Sequence, residues 1–130
     1  MKKLMVFVLC FCMLFALTTQ VSALNIFKKG FVAKYELDDP KTPSRGRLAA
    51  AVRTAKCNLC HVPDEDKEFR NEYGQALESY LDARDFSKTR QQEEPKKVQA
   101  EIFEALIRAE KDKSSSGETY GERILKGVLP

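Results

Sequence analysis

Cys57-Asn58-Leu59-Cys60-His61 decides how the rest of this chain is read. Two cysteines and a histidine meet nowhere else in it, and His61 is the single histidine of the 130 residues. The spacing C-x-x-C-H is the one by which c-type haem is held. The two thiols add across the vinyl groups of a porphyrin, and the adjacent imidazole becomes an axial ligand of the iron. Two intervening residues let a tight turn carry both sulfurs to one edge of the macrocycle while the next side chain swings beneath the metal. The motif makes Cys57 and Cys60 the expected cofactor-binding residues through thioether bonds. It makes His61 the expected proximal iron ligand, and one haem c per chain the expected cofactor.

Attachment of this kind takes place outside the cytoplasm, so a delivery signal is expected. Residues 1–23 read as a secretory signal peptide. Lys2 and Lys3 supply a basic start, and Leu4 to Leu17 is an unbroken apolar run of 14 residues. A membrane span needs about 20. Val21-Ser22-Ala23 fits small-x-small cleavage after Ala23, which leaves an exported, periplasmic or secreted chain; the alternative is an uncleaved N-terminal anchor. Cys10 and Cys12 lie inside the apolar run, so both cysteines of the expected mature chain belong to the motif. That chain has 107 residues, one domain's worth. The division expected is 1–23 signal peptide, 24–43 N-terminal segment and linker, and 44–130 haem domain.

The expected mature chain carries 20 basic and 19 acidic side chains, unevenly spread. Residues 24–61 hold 8 basic against 3 acidic, and residues 62–130 hold 12 against 16. A basic sector leading into the motif suits a redox partner with an acidic docking surface. Nothing in the pattern suggests nucleic-acid binding, and the membrane is involved only through an uncleaved signal peptide.

Hydrophobic spacing points to helices throughout. Leu24 to Tyr35 suits a short amphipathic helix, and Glu36 to Pro43 reads as a linker punctuated by two prolines. Thr42 and Pro43 form a helix start, with Leu48, Val52, Ala55 and Leu59 on one face leading into the motif. Val62 to Asp66 reads as an acidic turn. A second helix is expected from Lys67 to Leu81, with Phe69, Tyr73, Ala76, Leu77, Tyr80 and Leu81 as its stripe and Gly74 as an interruption. Asp82 to Glu94 reads as a polar connection anchored by Phe86. Pro95 opens another helix, with Val98, Ile102, Ala105, Leu106 and Ala109 buried, Phe103 beside them, and Lys111 and Lys113 near its end. Thr119-Tyr120-Gly121-Glu122 is a capping-box pattern for a last short helix ending near Lys126-Gly127. No alternation runs long enough for a sheet, so the chain is expected to be all-α.

Two other chemistries compete for the motif. A structural zinc ion takes four ligands, so it would need a carboxylate such as Asp64 or Glu65 to join Cys57, Cys60 and His61. A thioredoxin-like dithiol follows a strand in a βαβ unit, and no strand pattern precedes Cys57.

A helix running into C-x-x-C-H, followed by further helices from about Ser44 to the end, resembles the small monohaem cytochromes c. The Arg70-Asn71-Glu72-Tyr73-Gly74 stretch and the Ser116-Gly117…Gly121-Glu122 segment are similar to bacterial exported cytochrome-c-like proteins. The resemblance implies a small bundle of four or five short helices around a covalently attached haem. It implies Cys57 and Cys60 as thioether sites, His61 as proximal ligand, and one-electron transfer between redox partners. The family's usual sixth ligand is a methionine from the C-terminal half. Here Met1, Met5 and Met13 all fall in the signal peptide. The sixth position is left to water, to nothing, or to a group such as a lysine, Tyr73, Tyr120 or Asn71, and loss of Met lowers the expected potential. An open position permits the alternative of binding or sensing a small ligand such as nitric oxide or carbon monoxide. No second histidine supplies a distal acid–base group, so a carrier is expected rather than an enzyme, with weak peroxidase-like activity the residual catalytic option.

Overall fold

The computed structural model describes residues 24–130, so the expected signal peptide lies outside the described residues. Within them the chain is helical, with no β-strand and two isolated bridges, His61 with Arg70 and Lys113 with Thr119. The helices are α1 (Leu24–Lys34), α2 (Pro43–Ala55), α3 (Glu72–Glu78), α4 (Lys88–Glu93), α5 (Pro95–Ala109) and α6 (Tyr120–Leu125). Short 3₁₀ turns at Lys56–Leu59 and Ala83–Asp85 complete the list. None of the described helices is long and apolar enough to cross a membrane. The all-α expectation holds, with six helices among the described residues instead of four or five.

Each helix that matches its expected place has a local cause. Thr42 Oγ1 accepts from the Arg45 amide at 3.3 Å, and Pro43, which has no amide hydrogen to leave unpaired, takes the first helical position of α2. Leu48 and Val52 are then buried on one face. α5 starts at Pro95 and buries Val98, Ile102, Ala105, Leu106 and Ala109, the whole expected stripe. It stops at Ala109, so Lys111 and Lys113 stand beyond its last turn, where Arg108 is the basic residue. α6 has the full capping box, with Thr119 Oγ1 accepting from the Glu122 amide and the Glu122 carboxylate accepting from the Thr119 amide.

Two stretches differ from expectation. The helix expected from Lys67 begins only at Glu72 and ends at Glu78. The residues before it are drawn into extended pairing with the motif: Val62 N–H donates to Phe69 O at 3.1 Å and Asn71 N–H to Cys60 O at 3.1 Å. Phe69, placed on the stripe by its spacing, is 56 % exposed as a result. The expected polar connection at 82–94 instead contains the 3₁₀ turn and α4, capped by Asp82 and Ser87. α4 buries no residue, so it leaves no hydrophobic period to read. Its Arg90 Nη2 donates to Glu101 of α5 at 2.6 Å and 2.8 Å. Phe86 is buried as expected, edge-on to Phe27 at 5.2 Å.

A single core cluster joins Phe31 and Leu37 to Leu48, Val52, Leu59, Tyr73, Ile102, Leu106, Tyr120 and Ile124. The 24–43 segment therefore shares the core of the helices that follow it, and Leu37, inside the expected linker, is buried. α1 lies tightly on α5: a Cβ at Gly30 would stand 2.5 Å from Ile102 Cγ2. Phe31→Ala removes a fully buried ring from this contact and should lower the unfolding free energy by about 3–5 kcal/mol. Denaturant unfolding measures it, and a loss near zero would place α1 outside the core.

Candidate functional site

The motif sits where α2 runs out. The Lys56 amide closes the helix on Val52 O, and Lys56 itself takes φ +52°, a region costly for a side-chain-bearing residue. The chain then tightens into the 3₁₀ turn, in which the Cys60 and His61 amides both donate to Cys57 O at 3.2 Å. Leu59 pins the turn to the core at 3 % exposure, whereas Cys57 and Asn58 face solvent. Cys60 is half-buried and packs against the core cluster. Burial pushes its thiol up to about 12, with nearby Cys57 adding to the effect and Arg70 opposing it.

Apart from tyrosines, His61 is the polar side chain the described core takes in, at 6 % exposure. Burial first, then the Arg70 charge, hold its pKa below the ordinary imidazole value, against the pull of the Phe69 and Lys67 carbonyls. At neutral pH the ring is uncharged, the form that can bind a metal. Its Nδ1 has no hydrogen-bond partner. Nor does the hydroxyl of Tyr73, buried against Phe31 and Tyr120 with ring centroids 6.1 and 5.1 Å away. Burial is also the main reason the Tyr73 phenol stands well above its usual pKa.

Asn71 and Gly74 hold the turn from outside. Asn71 Nδ2 donates to Asn58 O at 3.1 Å and Leu59 O at 3.2 Å, while Oδ1 accepts from the Gly74 amide at 2.8 Å. One side chain therefore caps α3 and ties that helix to the motif. Gly74 lets the two backbones meet, because a Cβ there would stand 2.1 Å from Cys60 O. The expected mid-helix interruption is thus a close-approach point. Asn71 as a cap residue signals the start of α3 in sequence, but nothing local signals its bonds to carbonyls 12 and 13 residues back. Beyond it, the Ser115 amide donates to Glu72 Oε2 at 3.0 Å and ties α3 to the loop before α6.

Of the groups considered for the sixth coordination position, Asn71 has both side-chain polar atoms committed to the turn and the cap. Tyr73 and Tyr120 are buried beside each other. Among the described residues no three His, Cys, Asp or Glu side chains converge as a metal cage. The segment ahead of Cys57 is a helix, not the strand of a thioredoxin-like dithiol. Two cavities, of about 420 and 210 Å³, lie between α1 and α5 and beside Tyr80 and Phe86; neither is lined by Cys57, Cys60 or His61. Exposed Arg53 and Lys56 precede the open thiol, and exposed Asp64, Glu65, Asp66 and Glu68 follow it. The donor set suits c-type haem: two thiols on one turn next to an uncharged imidazole with an orphaned nitrogen. Comparison with known proteins finds no matching family model, no similar curated protein and no similar solved structure.

Gly74→Ala drives a methyl group into the Cys60 carbonyl and should cost about 3 kcal/mol in denaturant unfolding; a neutral or stabilising result would contradict the close approach. The haem-free chain should also lose stability as the pH falls below about 6.5. The unfolded imidazole takes its proton near pH 6.5, before the folded one does, so stability present above that value falls as pH drops. Urea unfolding across that value checks the slope, and His61→Phe should flatten it.

Proposed function

We propose that this chain is an exported c-type cytochrome, carrying one haem bonded to Cys57 and Cys60 with His61 as the proximal ligand, and that it works in one-electron transfer. The observation that carries the reading is the buried His61, whose uncharged ring has an unpaired nitrogen beside two thiols on one turn. An unsatisfied polar atom in a core costs about 1–3 kcal/mol. Coordination to a metal gives that cost a purpose. Haem supplies the iron couple that takes up and releases one electron. The chain's own part is to hold the imidazole uncharged, to keep water from it, and to present Cys57 at the surface between basic and acidic residues. No side chain has to make or break bonds for that task. Arg53 and Lys56 favour an acidic docking partner on the side of the open thiol.

A second reading has a specific basis. Residues 24–130 contain no methionine and no histidine besides His61, and Asn71 is already engaged. An iron held here would find neither a methionine nor a second histidine among these residues, which would suit a protein that binds nitric oxide or carbon monoxide.

Protein matured through an exporting, haem-attaching host should show a Soret band that survives acid–acetone extraction; a colourless product would contradict the first reading. His61→Ala should keep the colour but change the spectrum, since only the axial ligand is lost. Rapid carbon monoxide binding by the reduced protein selects the sensor, and resistance selects the electron carrier.

A further inference from the structure

The two thiols of the turn face different surroundings. Cys57 is exposed, with Asn58 open beside it. Cys60, three residues on, packs against the core cluster, and its backbone is gripped from outside. The grip has three parts. The Asn71 amide donates to Cys60 O at 3.1 Å. The Asn71 side chain donates to Asn58 O and Leu59 O, the carbonyls on the chain between the two cysteines. Gly74 closes over Cys60 O with no room for a Cβ. Of these, only the side-chain bonds of Asn71 can be removed without touching the backbone.

We propose that Asn71 is the positioning residue that makes the two thiols chemically unequal, keeping Cys60 the less accessible of the two and leaving Cys57 as the thiol that meets an incoming electrophile first. The electrophiles concerned are soft ones that react with thiols, such as an activated carbon or the sulfur of a disulfide. Cys60 follows only when the turn lifts off α3, a local opening that does not require global unfolding. The asymmetry belongs to the haem-free chain, so it stands or falls independently of the cytochrome reading. Failure of haem attachment would leave it intact.

Asn71 does two jobs, and substitution separates them. Asn71→Asp keeps the cap, because a carboxylate oxygen accepts from the Gly74 amide as well as the amide oxygen does. It loses the donor and turns an acceptor toward the Asn58 and Leu59 carbonyls. Asn71→Ser also keeps a capping oxygen but loses the donor without adding charge. A residue that only capped α3 would be replaced by either change without consequence at Cys60.

The test uses the full chain, purified reduced and haem-free, and treated with iodoacetamide at fixed pH. The thiol sulfur bonds to the reagent's methylene carbon, iodide leaves with its electron pair, and the thiol proton passes to buffer. Peptide mapping reads each cysteine separately, and circular dichroism follows helix content. In the unsubstituted chain Cys57 should react well ahead of Cys60. Asn71→Asp and Asn71→Ser should raise the Cys60 rate by about tenfold while leaving the Cys57 rate and the helix content unchanged. Equal rates at the two cysteines of the unsubstituted chain would overturn the proposal. So would a Cys60 rate unmoved by both substitutions. A third measurement needs no variant. In low urea the Cys60 rate of the unsubstituted chain should rise only weakly, as local opening requires, and a dependence as steep as global unfolding would also overturn it.

Discussion

The contact on which the rest of the site depends is the one between α3 and the backbone of the Cys57–His61 turn. Gly74 brings the helix onto Cys60 O, and Asn71 bonds the carbonyls of Asn58 and Leu59 while capping that helix. The turn is otherwise a short 3₁₀ segment with a strained residue, Lys56, at its start. Such a segment has little reason to keep one shape alone, since isolated turns offer few hydrogen bonds for the backbone freedom they lose. Leu59 fastens it from the core side and α3 from the other. His61, next in the chain, is buried, and that burial holds its pKa below the ordinary imidazole value.

α3 in turn is placed by its own neighbours. Tyr73 and Leu77 bury against the common core, with Tyr73 between Phe31 of α1 and Tyr120 of α6. Glu72 reaches the loop ahead of α6 through the Ser115 amide. Tyr35 donates to Glu110 at 2.7 Å and Tyr80 to Asp112 at 2.9 Å, closing the C-terminal end of α5 onto α1 and onto the turn after α3. These ties pass from the first described helix to the last. A seven-residue helix with one glycine could not hold the motif unaided. It does so as part of a core that reaches from Phe31 to Ile124.

How much of this could be read from sequence follows from the range of the forces involved. α2, α5 and α6 were legible because their causes are local: Thr42 with Pro43, the Val98–Ile102–Ala105–Leu106 spacing, and the Thr119–Glu122 box. α4 was not, because a Ser87 cap and the Arg90–Glu101 ion pair carry it and no side chain is buried. The start of α3 is not legible, because backbone bonds from residues 60 and 62 claim a stretch whose periodicity suits a helix. At the site, Cys57, Cys60 and His61 announced themselves by adjacency. Asn71 did not, since its role depends on carbonyls far back along the chain. Its side chain bonds the turn and caps α3.

The functional account needs the frame to have a purpose. In the proposed reading, two thiols on a fixed turn beside an uncharged buried imidazole with an open nitrogen would seat a covalently held haem. The most direct measurement is the mass of the tryptic peptide that contains Cys57 to His61, taken from protein matured in an exporting, haem-attaching host. The account predicts that this peptide carries the added mass of one haem. An unmodified peptide, with the two cysteines free or joined as a disulfide, would contradict it.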